Sequence, residues 1–297
     1  MYRKILAPLD GSELADIALT CAAEMAAALP GAKINLLHVH SKMEDGLDSM
    51  HRAYIENAAA KVAQRMGKDA EKEVKGALVN GNPTDEIIKY ANKQKIDLII
   101  MATHGRSGIS RWAMGSVAYK VMRSVSIPVC LVRAGISEEI VRQKSFGRVC
   151  IVPLDGTKRA ESVLTYVKAL VKQYDGALEV VLLRVCPKPD ISSDYPYNMP
   201  LSWEEHVERE KIKCKLVAGV YLAEIVKQLK SEGIDARMEL SMGNPAKAII
   251  KYDNASDSRL IAMSVHGRSG ISRWAYGSVA ETVMMGTLTP ILMVRQK

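Results

Sequence analysis

With 297 residues, 48% of them apolar and 25% charged, the sequence has the make-up of a globular protein with room for two cores. It holds no run of about 18 apolar residues, which excludes a membrane-spanning helix. The formal charge of +8 is interleaved with acids, without a dense basic run and with only one Phe, so a nucleic-acid groove is not expected either.

The opening Met-Tyr-Arg-Lys-Ile-Leu-Ala-Pro-Leu-Asp reads as a strand over 3–9 rather than a secretion signal, which predicts a cytoplasmic protein. Asp10-Gly11-Ser12 ends that strand, and Ile17, Cys21, Met25 and Leu29 recur at helical spacing behind a Ser12 cap until Pro30-Gly31. A second strand follows over 34–39, a weaker helix over 48–66 and a third strand near 72–79. Asn82-Pro83 then opens a helix, the proline at the first position where its missing N–H costs nothing. A fourth strand spans 96–102, a glycine-containing stretch runs to Gly115-Ser116, a helix carries Val117, Val121 and Val125, and a fifth strand covers 128–133.

Strands alternating with helices in this way predict an α/β fold with a doubly wound five-stranded parallel sheet. Ligands bind such sheets at the carboxyl ends of the strands where the winding reverses. Residues 134–146 read as a short polar linker, and the scheme then restarts, which sets domains at 1–140 and 141–297. Asp155-Gly156-Thr157 repeats Asp10-Gly11-Ser12, Leu182 to Val185 repeats Leu36 to Val39, and Gly243-Asn-Pro repeats Gly81-Asn-Pro.

The closest repeat lies between the fourth strand and the helix after it. Residues 104–122 read HGRSGISRWAMGSVAYKVM and residues 266–284 read HGRSGISRWAYGSVAETVM, differing at three positions of nineteen. A glycine-containing strand-to-helix loop presents backbone N–H groups at the positive end of a helix, and that makes an anion site. Gly105, Gly115, Gly267 and Gly277 leave the backbone room to approach a phosphate, Ser116 and Ser278 add hydroxyls, and Arg106 and Arg268 bring charge. A packing turn is the alternative, but two halves that differ widely elsewhere keep this stretch nearly constant. His104 and His266 read as residues that orient the loop.

The spacing of the loop resembles the nucleotide signature of the universal stress protein family: Gly, two residues, Gly, nine residues, Gly, then Ser or Thr. Both copies keep the spacing, with Ala102 and Ser264 in place of the first glycine. The resemblance covers nearly the whole chain as a tandem pair. It implies an adenine-nucleotide alpha hydrolase-like fold whose two halves pair through their fifth strands as an intramolecular pseudo-dimer. It also implies that Asp10 and Asp155 meet the ribose or adenine and that the backbones of Val39 and Val185 read the base. Pro8, Met101, Val117, Pro153, Met263 and Val279 complete the expected sites.

A cytoplasmic stress-response or regulatory protein is therefore expected. Its ligand would be ATP, or ADP or AMP, with Mg2+ on the phosphates, and the bound state would alter contacts with a protein partner. Little or no hydrolysis is expected, since no general base is evident. An adenylating enzyme is disfavoured by Asp10-Gly11-Ser12-Glu13 after the first strand, and a ligand-free scaffold remains the other alternative. No P-loop, dinucleotide fingerprint or metal-spaced cluster occurs.

The spacing between copies grows from 145 at the aspartates to 162 at the histidines. Most of the excess is Cys186 to Pro200, with four prolines and two tyrosines, read as a lid over the second site or as a surface or subunit contact. A homodimer of the tandem chain belongs to the same set of expectations. Cys21, Cys130, Cys150, Cys186 and Cys214 form no C-x-x-C pair and are expected as buried free thiols.

Overall fold

The computed structural model describes residues 2–40, 48–67, 73–104, 114–174, 177–187, 200, 202–265 and 277–295. The first half runs β1 (Lys4–Leu9), α1 (Glu13–Ala27), β2 (Lys33–His40), α2 (Asp48–Met66), β3 (Val74–Asn80), α3 (Pro83–Gln94), β4 (Leu98–Ala102), α4 (Ser116–Ser124) and β5 (Val129–Val132). A helix, α5 (Glu138–Ser145), joins it to β6 (Val149–Pro153), α6 (Lys158–Glu161), α7 (Val163–Gln173), β7 (Glu179–Cys186), α8 (Trp203–Ser231), β8 (Ala236–Met242), α9 (Pro245–Ala255), β9 (Ser258–Val265), α10 (Ser278–Gly286) and β10 (Ile291–Arg295).

The ten strands of the described residues form one sheet in the order β3-β2-β1-β4-β5-β10-β9-β6-β7-β8. Within each half the strands are parallel, and the single antiparallel joint is β5 on β10, at Leu131–Ile291, Cys130–Leu292 and Val129–Met293. The expected pseudo-dimer through the fifth strands is what forms. Parallel strands covered on both faces must be apolar on both, and β4 and β5 are buried at every position. One core lies under α1, α2, α5, α7 and α8 and the other under α3, α4, α9 and α10, each continuous across the halves.

The helix starts follow their sequence signals. Ser12 accepts from the Ala15 N–H, Asn82 from Thr84 and Asp85, and Asn244 from Lys247. Two expectations are corrected. The polar linker 134–146 contains α5, capped by Ser137, with Val141 in the core. Arg65 bonds Glu138 and Lys144 bonds Ser258, so this helix is tied to both halves. Second, Cys186 and Cys214 are joined in a disulfide between the end of β7 and α8, because the long excursion returns α8 alongside the strand it left. Cys21, Cys130 and Cys150 are buried free thiols, as expected.

Candidate functional site

The site begins where two neighbouring strands part. β1 pairs with β2 over its whole length, from Lys4–Lys33 to Leu9–His38. Its pairing with β4 covers only Ile5–Leu98 and Leu6–Ile99. Pro8 has no N–H to give a ladder and lies beyond the last β1–β4 pair. The order 3-2-1-4-5 also reverses the winding here, so the helices following β1 and β4 cover opposite faces. The second half repeats the device: β6 pairs with β9 no further than Ile151–Ile261, and Pro153 lies beyond.

A cavity of about 320 Å3 occupies the first crevice. It is lined by Pro8 from β1 and Asp10 just beyond it, His38, Val39 and His40 from β2, Met101, Ala102 and His104 from β4 and its exit, and Gly115, Ser116 and Val117 where α4 begins. The structure thus gathers every expected first-half residue that it describes. Gly105, Arg106, His266, Gly267 and Arg268 lie outside the described residues, as does most of the 187–200 segment.

Asp10 has a structural task as well. Its Oδ1 accepts from the Ser12 N–H (3.0 Å) and the Ser12 hydroxyl (2.6 Å), while Ser12 caps α1 at Ala15. The turn therefore fixes the carboxyl at the mouth of the crevice. Asp155 repeats the arrangement on Thr157, at 2.9 Å and 2.6 Å. Burial pushes the Asp155 pKa up, but the Thr157 hydroxyl and amide and the nearby Arg184 guanidinium outweigh it and hold it below the usual carboxylate value.

α4 starts differently from most helices of the chain. Its N-cap is Gly115, which has no side chain to give the first-turn amides, and Gly277 stands likewise before α10. Ser116, Val117 and Ala118, the residues of that first turn, line the cavity. Gly115 donates its own N–H to the Thr103 carbonyl at 2.8 Å. A Cβ at this position would stand 3.0 Å from that carbonyl oxygen and 3.4 Å from His104 Cα. The glycine therefore makes room for the chain itself, whereas the sequence pointed to room for a phosphate. Gly277 differs: its φ of +78° is one that side-chain-bearing residues avoid.

His38 and His40 went unnoticed in the sequence, although they flank Val39 where strand side chains alternate. His38 Nδ1 lies 2.9 Å from the Leu9 carbonyl, which can only accept, so Nδ1 carries the hydrogen. In the neutral ring, Nε2 then accepts from His51 Nδ1 at 2.8 Å, tying α2 to the crevice. The second half has Arg184 at this place, donating to the equivalent Leu154 carbonyl at 3.4 Å. Thr103 was also missed. Buried to 1% exposure, it takes the Ala134 N–H on its hydroxyl and meets His104 Nδ1 at 3.1 Å. Its counterpart is Val265, and that difference between the copies was the available signal. Burial lowers the His104 pKa below the ordinary imidazole value.

Pro153 at the end of β6 and Asp155 just after it, Val185 on β7, Met263 and Ser264 on β9, and Gly277, Ser278 and Val279 at the cap and start of α10 lie at the matching edge of the second half. Among the described residues no group of three or more His, Cys, Asp or Glu could hold a metal ion, and no helix is long and apolar enough to cross a membrane.

The universal stress protein family model matches residues 1–133 and 148–295. A universal stress protein of Methanocaldococcus jannaschii is 30% identical over 156 residues, covering 45% of this chain and 96% of that protein. One from Mycobacterium tuberculosis is 22% identical over 247 residues, covering 82% of this chain and 77% of that protein. The crystal structure of a universal stress protein from Archaeoglobus fulgidus covers all of both chains with a TM-score of 0.70 at 22% identity, a likeness of fold.

Proposed function

The chain belongs to the universal stress protein family, and from that premise we propose that its first half binds an adenine nucleotide, ATP or its ADP or AMP relatives, in the β1/β4 crevice. One observation carries the proposal. A cavity of about 320 Å3 brings a carboxylate, a strand edge and the glycine-capped start of a helix to a single opening. That volume falls within the range of small-molecule sites, roughly 300–1,000 Å3.

In this reading the base lies along the β2 edge at Val39, the ribose hydroxyls meet Asp10, and the phosphates reach Ser116 and the first-turn amides of α4. Such amides and the helix dipole favour an anion. Arg106, on the loop itself, adds a cation. Mg2+ would arrive on the phosphates. The ligand is held rather than consumed, since no carboxylate or imidazole is assigned to activate a water. The nucleotide state then biases contacts with a regulatory protein partner in the cytoplasm.

The second half offers the same frame with different chemistry, Arg184 where the first has His38 and Ser264 where it has Ala102. We take the two as unequal sites, each in its own domain, 1–140 and 141–297. Calorimetric titration with Mg-ATP tests the proposal directly. Ligand at about 100 times its dissociation constant should add about 2.7 kcal/mol of stability. Absence of both heat and a thermal shift at millimolar ATP refutes it.

A further inference from the structure

Among the described residues an apolar surface lies exposed on α8 beside the edge strand β8. Ile212, Leu216, Val217 and Val220 are 51%, 65%, 65% and 73% exposed, and Met238 and Leu240 continue the patch at 41% and 37%. Leu240 reaches α8 at Gly219, where a Cβ would stand 3.9 Å from its Cδ1. The six side chains leave roughly 600 Å2 of apolar surface to water, against about 800 Å2 buried by each partner in a standard interface.

The fold does not require this. α2 holds the equivalent place over the opposite edge strand, β3, and its outward positions include Arg52, Glu56, Asn57 and Lys61. Met50 is the large apolar residue exposed there. Two elements built on one plan thus differ in a way that points to a partner for α8.

We propose that this partner is a second copy of the chain, with α8 packed antiparallel on α8 across a two-fold axis at Leu216. The order of residues along the helix supports the choice. At 100° per residue, Glu205, Arg209, Ile212, Val220, Ala223 and Lys227 all lie within about 40° of Leu216, and all are exposed. About that centre the stripe matches itself in reverse. Leu216 meets the partner's Leu216, Ile212 meets the partner's Val220, and Arg209 passes over the small Ala223. At the ends each Glu205 meets the opposite charge of the partner's Lys227. A two-fold contact of this kind needs one surface complementary to itself.

The full chain should then run in light scattering at twice its mass of 32.6 kDa. Leu216→Glu should return it to the single mass with an unchanged circular-dichroism spectrum, since Leu216 is mostly exposed in the single chain. Leu216→Cys should cross-link copy to copy with a short bismaleimide, while Glu224→Cys, about 80° round the helix, should not. Lys227→Glu, which sets like charges together, should raise the dissociation constant about tenfold. A wild-type chain that stays at the single mass up to its solubility limit overturns the proposal. So does a dimer that Leu216→Glu leaves intact.

Discussion

The role of Gly115 can be put to a graded test. A methyl group there meets the Thr103 carbonyl at 3.0 Å, several tenths of an ångström inside ordinary contact. That carbonyl cannot yield cheaply. It holds the Gly115 N–H at 2.8 Å, its own residue donates to Val132 at 2.8 Å, and the Thr103 hydroxyl holds Ala134 at 3.0 Å. The start of α4 must move instead, by about 0.4 Å, which as overpacking should cost about 1–2 kcal/mol. Spread over the unfolding entropy of the whole chain, about 0.6 kcal/mol per kelvin, Gly115→Ala should lower the melting temperature by about 2–3 °C, and by about twice that if the halves melt separately. The same movement displaces the amides proposed to face phosphate, so ATP affinity should fall about tenfold, or 1.4 kcal/mol. Gly115→Asp adds a carboxylate against the phosphates and should abolish binding in the first half. Scanning fluorimetry and calorimetry read the two effects separately. A Gly115→Ala protein that loses stability but binds ATP as the wild type does would make the glycine a packing device and refute the phosphate assignment.

Other outcomes follow from single features of the fold. Gly277→Ala must adopt φ near +78° with an extended ψ of 141° and should lose about 2 kcal/mol in urea unfolding. Asp253→Ala removes a fully buried carboxylate that takes hydroxyl hydrogens from Ser258, Thr287 and Thr289, and should cost about 3 kcal/mol in the same assay. Reducing Cys186–Cys214, or Cys214→Ser, opens a loop closed over a separation of 28 residues and should cost the second half about 3–4 kcal/mol. Hydrogen exchange should then rise over 203–217, because the buried residues of α8 begin only at Ala218. Burial lowers the His104 pKa, so the unfolded chain takes up its proton first as the pH falls. The stability this gives is complete above about pH 6.5 and is lost as the pH falls through the folded value, and His104→Gln should flatten that slope in urea melts at pH 7.5 and 5.5.

The sheet was legible because its rules are local. Alternation of apolar runs with helical spacing gave the strands, and Asn82-Pro83 and Asn244-Pro245 marked helix starts that the side chains do cap. The place of the first crevice followed from the winding rule, at the ends of the first and fourth strands beside Asp10 and Met101. What stayed hidden depends on residues distant in the chain. α5 has one buried apolar residue, Val141, among charges, so periodicity had little to register; its support comes from Arg65 and Ser258. The Cys186–Cys214 bond depends on where a long proline-bearing excursion returns. His38 and His51 sit on a strand and a helix, and nothing in a thirteen-residue separation announces their hydrogen bond.

The two crevices also explain how a repeated frame can diverge in chemistry while its backbone stays put. The Leu9 carbonyl and the Leu154 carbonyl each need a donor from the neighbouring strand, and either an imidazole or a guanidinium supplies one. The exchange is neutral for the turn but not for the site. His38 passes its second nitrogen to His51 and so couples the first crevice to α2, whereas Arg184 brings a permanent cation to Asp155 and lowers its pKa. A ligand in the second crevice would meet a permanent cation beside its carboxylate, where the first crevice has an imidazole. The two carboxylates are held alike by their own turns, Asp10 on Ser12 and Asp155 on Thr157, so the difference between the crevices lies in the imidazole or guanidinium beside them. This is the physical basis for treating the halves as unequal despite nineteen nearly identical loop residues.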